Sequence, residues 1–350
     1  MKKMRGMVAL CVALSVAAGS SALLAQNVDK KQEEKRSKAE QLDITVLLKA
    51  VDTVSAGQAA PTDTMVTWES NHFIRSQDGT TYVPFTVQLD RSKLTSPTVA
   101  LYVRVDTKSA APAPPSKDNK DNKDNKDNKA GVIHPWENVY FATVSPEGKV
   151  SRAFQVKGGT DYDVYVAVKD KGTVEKADKN FNPTVAVAKK ELSIPDYNKP
   201  ELTTSSVILA TAIQPLPAGA SAQEDPYVFG PMQIVLSRDG KYKKADTLEV
   251  IYWIYGITGD SAGKPDVQIE NSFNQKTADG EKFFNKTQPQ ALNAQSLPPD
   301  FTANSGPIPG TLQVPLLSFP PGDYRLEIKI TDKPSGKTVT QNVNFSVAAS

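Results

Sequence analysis

The chain has 350 residues, a formal net charge of +2, 39% hydrophobic residues, 25 prolines, 20 glycines and a single cysteine. So small a net charge excludes a global electrostatic pull toward nucleic acid or acidic lipid. The proline and glycine content suits a turn-rich β protein better than a helical one, and the length suggests roughly two domains.

Residues 1–25 read as a secretory signal. Lys2, Lys3 and Arg5 precede an apolar run from Met7 to Ala18, and the small residues Gly19, Ser20, Ser21 and Ala22 come next. The run is too short to cross about 30 Å of hydrocarbon, so no integral membrane span is expected after cleavage, which falls after Ala22 or Ala25. Cys11 lies inside the run behind Val8, Ala9 and Leu10, a context that does not suit a lipoprotein signal. Removal of the signal takes three cations with it and turns +2 into −1. It also leaves no cysteine, hence no disulfide, thiolate nucleophile or cysteine metal site. The expected residence is periplasmic or secreted.

Residues 26–41 are charged with both signs and read as a solvated tether. In DITVLLKAVDTVSAG, Ile44, Leu47, Leu48, Val51 and Val54 recur at helical spacing, Gly57 stands where a helix stops, and Pro61 lies beyond it. One short amphipathic helix is predicted there. Beyond Pro61 the period changes to two, and strands are predicted over 83–91, 98–105, 138–144, 150–156, 162–170 and 185–194. Between the second and third of these, PAPPSKDNKDNKDNKDNKA (112–130) repeats KDN four times. A calcium loop needs oxygen ligands at alternate positions and a glycine to reverse direction, whereas here lysines flank each aspartate. Residues 108–133 therefore read as a disordered insert, and no metal site is expected.

The proline-bearing IPDYNKPE (194–201) marks a boundary between domains at 42–197 and 198–350. A second strand series is predicted over 205–213, 231–238, 247–257, 266–274, 310–319, 324–331 and 337–347. The fold class is all-β: two tandem Ig-like antiparallel β-sandwiches with one short N-terminal helix.

The two halves repeat. GDYRLEIKITD aligns with TDYDVYVAVKD so that Tyr324 meets Tyr162, the apolar positions coincide, and Asp332 meets Asp170. PFTVQLDR (84–91) matches PMQIVLSR (231–238), and TVALYVRV (98–105) matches TLEVIYWI (247–254), which argues for two copies of one sandwich. A tyrosine after a glycine-bearing corner at the start of the penultimate strand is a tyrosine corner, whose hydroxyl bonds the backbone upstream. Pro320, Pro321 and Gly322 supply that turn, since proline fixes φ and glycine accepts positive φ. Tyr162, Tyr324, Gly322, Asp170 and Asp332 are thus read as structural, the two aspartates through turn hydrogen bonds.

The C-terminal half, with SSVILA, LEVIYWIYGI, FFNKTQPQ and FPPGDYRLEIKITDK, resembles the Ig-like sandwich appended to exported bacterial proteins of the GWxTD-motif kind. The N-terminal VTWESNHFI and TYVPFTVQL resemble stretches of the same group. The resemblance implies export and an Ig-like fold; the group has no established activity, and the GWxTD motif is absent from this chain.

The candidate binding residues lie on LEVIYWIYGI. Val250, Tyr252 and Ile254 share one face, and Ile251, Trp253 and Tyr255 the other. A sandwich strand needs only one apolar face, so the second requires a cover: a loop, the other domain, another chain or a stacking ligand. Trp253 also fits the core tryptophan of a sandwich. Trp136 and Trp68, near loop ends, join the candidate surface. His72 and His134 are the only histidines, no nucleophile or phosphate-loop motif occurs, and no cofactor or catalytic residue is assigned. Glu249, Glu270, Asp266 and Glu137 are the acids from which a glycosidase pair would be drawn. Three readings result, in order of preference: a non-catalytic envelope module binding a protein partner, a carbohydrate-binding module, and a carboxylate-pair glycoside hydrolase.

Overall fold

The computed structural model describes residues 36–61, 66–108, 134–170, 185–219 and 224–349. The signal at 1–25, most of the tether and the insert from 109 to 133 lie outside the described residues. The chain divides into two compact units. One comprises Thr80–Asp196 and the described residues up to Asn71; the other joins His72–Gly79 to Tyr197–Ser350.

The first unit contains α1 (Lys38–Ser55), β1 (Val66–Asn71), β3 (Thr81–Leu89), β4 (Thr98–Thr107), β5 (Trp136–Thr143), β6 (Lys149–Val156), β7 (Thr160–Asp170) and β8 (Val185–Ile194). The short β2 (Ile74–Arg75) belongs to the second unit. In one sheet of the first unit β3 lies between β1 and β6; in the other the order is β5-β4-β7-β8. Val83, Phe85 and Val87 of β3, and Val99, Leu101, Val103, Val164, Val166 and Val168 of the other sheet, are all buried. Alternation explains why these strands fold: each sends every second side chain inward.

β4 is buried on both faces, because α1 lies against the outer one. Leu47 and Val51 are fully buried there with Ala100, Tyr102, Tyr165, Ala167, Val185 and Val187. The helix begins at Lys38, inside the stretch read as tether. Its start is set by a capping box: the Ser37 hydroxyl accepts from Glu40 N at 3.2 Å, and the Glu40 carboxylate accepts from Ser37 N at 3.0 Å. Two orphan donors are satisfied at once, which offsets the poor intrinsic case for so charged a helix start. Asp43 faces the sheet, fully buried, and accepts from Lys169 Nζ at 2.5 Å.

The second unit holds β9 (Thr203–Thr204), β10 (Ile208–Pro215), β11 (Val228–Phe229), β12 (Met232–Leu236), β13 (Lys241–Lys243) and β14 (Thr247–Tyr255). It continues with β15 (Asp266–Thr277), β16 (Gly280–Lys286), β17 (Gln290–Asn293), β18 (Ile308–Pro315), β19 (Gly322–Asp332) and β20 (Lys337–Ala348). One sheet runs β11-β12-β10-β14-β18 and the other β13-β20-β19-β15-β16, with β17 also on β15. Tyr252, Ile254, Phe273, Phe319, Tyr324, Ile328 and Phe345 fill the space between them. Gly310 of β18 passes under Tyr252, and a Cβ there would meet its ring at 2.4 Å. The expected strand over 310–319 stops at Pro315 and gives way to a 3₁₀ turn, Leu316–Ser318.

Stripped of extras, both units share one topology. β1-β3-β6 with β5-β4-β7-β8 corresponds to β10-β14-β18 with β16-β15-β19-β20. The match of β7 to β19 holds. The other two sequence matches are displaced: β3 corresponds to β14 rather than β12, and β4 to β15 rather than β14. The cause is an addition between β10 and β14 that carries β11, β12 and β13 and shifts the count of strands.

Candidate functional site

The stretch that repeats between the halves is framework. Tyr324 is fully buried against Phe319 and Phe345, and its hydroxyl donates to Pro320 O at 2.6 Å. Tyr162 donates likewise to Lys157 O at 3.0 Å. Gly322 enters β19 at φ +148, a region where a Cβ is disfavoured. Asp170 accepts from both Thr95 N, at 2.7 Å, and Thr95 Oγ1, at 2.6 Å. Asp332 accepts from Thr258 N at 3.1 Å and from the Ser335 hydroxyl. Thr95 precedes β4 and Thr258 precedes β15, so in each copy the closing aspartate ties the same loop. Asp332 also bonds within its own turn, through Ser335.

On β14 the second apolar face is covered within its own unit. Ile251, Trp253 and Tyr255 are 1%, 0% and 2% exposed. Phe229 packs on Trp253 with ring centroids 5.1 Å apart, and Tyr197 on Tyr255 at 4.9 Å. The Tyr255 hydroxyl accepts from Arg75 N at 3.0 Å. The same segment is held further by Phe73 N donating to Ser206 Oγ at 2.8 Å and Ser206 N donating to Phe73 O at 3.0 Å. His72 Nδ1 lies 2.8 Å from the Tyr227 hydroxyl, and burial pushes the His72 imidazole down to about 4. Stacking platforms need an open ring face, and neither Trp253 nor Tyr255 offers one. The cover is His72–Gly79 with Tyr197 and Phe229, remote in sequence from the strand it protects.

Trp68 and Trp136 are half-buried in the first unit. Trp68 stacks on Phe85 at 4.8 Å and donates from Nε1 to Asn71 Oδ1 at 3.1 Å; Trp136 lies 6.0 Å from Phe154. The structure therefore distributes the five candidate residues over two units and brings three of them together on β14.

A polar cluster that strand alternation alone did not single out occupies the outer face of β4 beyond α1. Arg104, 3% exposed, reaches Asp52 at 2.6 Å and Asp106 at 3.1 Å, and its guanidinium stands 5.2 Å from the centre of the Tyr165 ring. Asp106 also meets His134 Nδ1 at 2.5 Å. Tyr102 donates to Glu137, and burial together with that carboxylate raises the phenol well above its ordinary range. Alternating polar residues at Tyr102, Arg104 and Asp106 were the available signal. The network pins α1 and the start of β5 to the sheet.

The acids considered for hydrolysis are separately engaged. Glu270 pairs with Lys329 at 3.4 Å and Asp266 with Lys333 at 3.3 Å, both on β15. Glu249 of β14 accepts from Gln313 at 3.3 Å, and burial raises its carboxyl. Among the described residues no cluster of three or more His, Cys, Asp or Glu is arranged to hold a metal ion. No described helix is long and apolar enough to cross a membrane.

A polar cleft of about 770 Å³ opens at one end of the second unit, between the Gly256–Gly263 loop and Thr302–Pro307, with Tyr197 and Lys199 on its wall. The large apolar residues exposed among the described ones are Val235, Phe283 and Leu317, at 36%, 64% and 74%. All three belong to the second unit. Val235 is on β12, Phe283 on the edge strand β16, and Leu317 in the turn before β19.

No family model matches this chain, and no curated protein matches it. Among solved structures it is similar to the crystal structure of Salmonella alpha-2-macroglobulin reacted with methylamine, at 11% identity and a TM-score of 0.20. The similarity covers 81% of this chain and 16% of that one.

Proposed function

We propose that this chain is an exported, non-catalytic envelope protein whose sandwich edges and loops bind a protein partner. The observation that carries the reading is the placement of Phe283 and Leu317, the most exposed large apolar residues described, on an edge strand and an end turn of the second sandwich. An edge strand offers unpaired backbone groups, and an exposed aromatic beside them supplies the apolar anchor that strand-adding partners use. The signal-like first 25 residues support export, in line with the resemblance to exported Ig-like proteins. With Trp253 and Tyr255 buried, the carbohydrate reading has lost its best aromatic platform.

The test is affinity capture from the envelope fraction of the source cells, with the purified chain as bait. One stoichiometric protein should be retained, and F283S with L317S should release it while leaving the unfolding temperature unchanged. Retention of polysaccharide alone, or capture indifferent to both substitutions, overturns the reading.

A further inference from the structure

We infer that β16 pairs with the β16 of a second copy, antiparallel, about a two-fold axis between Phe283 and Phe284. Among the described residues β16 pairs with β15 alone, so one side of its backbone meets no strand. Its sequence, Gly-Glu-Lys-Phe-Phe-Asn-Lys, carries charges that ordinarily blunt an edge against foreign strands. In one self-pairing register those charges become complementary. A two-fold between the phenylalanines sets Glu281 opposite Lys286 twice, and Lys282 opposite Asn285 twice. Shifting by one residue in either direction loses both Glu281–Lys286 pairs: one shift sets Lys282 against Lys286, the other Glu281 against Asn285.

The faces agree as well. Glu281 is paired with Lys276 and Lys286 with Ser272, and the register of β16 on β15 shifts between Phe273 and Asn274. Phe284, the residue passed over at that shift, packs inward on Phe319 at 4.8 Å. An uninterrupted strand would put positions five apart on opposite faces. The bulge restores both Glu281 and Lys286 to the outer face, where Glu281 also holds Arg325 at 2.8 Å. Phe283, 64% exposed, then lies beside its symmetry mate next to the axis. A contact made by one edge strand is small, so the dimer is a weak one, with dissociation in the micromolar range.

The inference does not rest on the partner reading; the two compete for the same β16 edge, which one of them occupies at a time, and sedimentation of the purified chain involves no second protein. Sedimentation velocity over about three decades of concentration should show a monomer–dimer equilibrium. K286E sets Glu against Glu and E281K sets Lys against Lys, so each alone should weaken association by about tenfold or more. An equimolar mixture of the two variants should associate like the parent, since every facing pair is again of opposite sign. Arg325 keeps Glu327 at 2.9 Å when Glu281 is replaced, so both variants should unfold at the parent temperature. A chain that stays monomeric throughout, single variants that dimerise like the parent, or a mixture that fails to recover overturns the inference, and the capture experiment keeps its own outcome.

Discussion

Lys169 and Asp43 meet where the sequence offers only strand alternation on one side and helical spacing on the other. Each side chain is 1% exposed, and the pair is justified only while both members are present. Replacing Lys169 by Met leaves a carboxylate under α1 without this cation, and chemical unfolding should show a loss of about 3 kcal/mol. Adding Asp43→Leu should return most of it, because an apolar pair of similar volume removes that buried charge. His72 adds a pH dependence. Its folded value near 4 lies below the ordinary 6.5, so the unfolded chain takes up the proton first. The contribution is complete above about pH 6.5 and is lost as pH falls toward 4, a decline of about 2 kcal/mol between pH 7 and 4.5. H72Q, which keeps a polar partner for Tyr227, should flatten that part of the stability profile; an unchanged slope would assign it to other groups.

At the scale of elements, the strands that bury one face or both were the legible ones. β4, β7, β14, β15 and β19 all stand close to their expected limits. β16 went unread because Gly-Glu-Lys-Phe-Phe-Asn-Lys alternates nowhere: it is an exposed edge with a bulge, and nothing forces period two upon it. The start of α1 was hidden by charge, though Ser37 and Glu40 carried the capping signature. Gly310 was equally silent, since a glycine in a strand can mark a bulge, a bend or a close approach. Here it is a close approach. G310A should push a Cβ into the Tyr252 ring and cost about 2 kcal/mol in chemical unfolding, with the site's smallness and not backbone freedom as the cause.

For the whole molecule, the recurrence of Tyr162 and Tyr324 told more than either residue alone. Two tyrosines bonding backward to Lys157 and Pro320, and two aspartates tying Thr95 and Thr258, identify one framework used twice. The remaining matches misled because three short strands were added before β14, and alternating strands resemble one another whatever their place in a sheet. Y162F and Y324F should each cost about 1 kcal/mol, the worth of one hydrogen bond, and their effects should add in the double variant. The candidate site was half legible. That β14 needs a cover on each face could be read from its residues; that the cover comes from His72–Gly79 depends on the folding of a segment far away in the chain.

The burial of Trp253 has an optical consequence. The chain has three tryptophans, and Trp68 and Trp136 lie in the other unit. Replacing those two by phenylalanine would leave a single indole, 0% exposed beside Phe229, as the emitter. Its fluorescence should be blue-shifted and resistant to iodide, then turn red and quenchable when β14 loses its cover. A chain with no ligand in hand thus carries its own reporter of whether that face is closed.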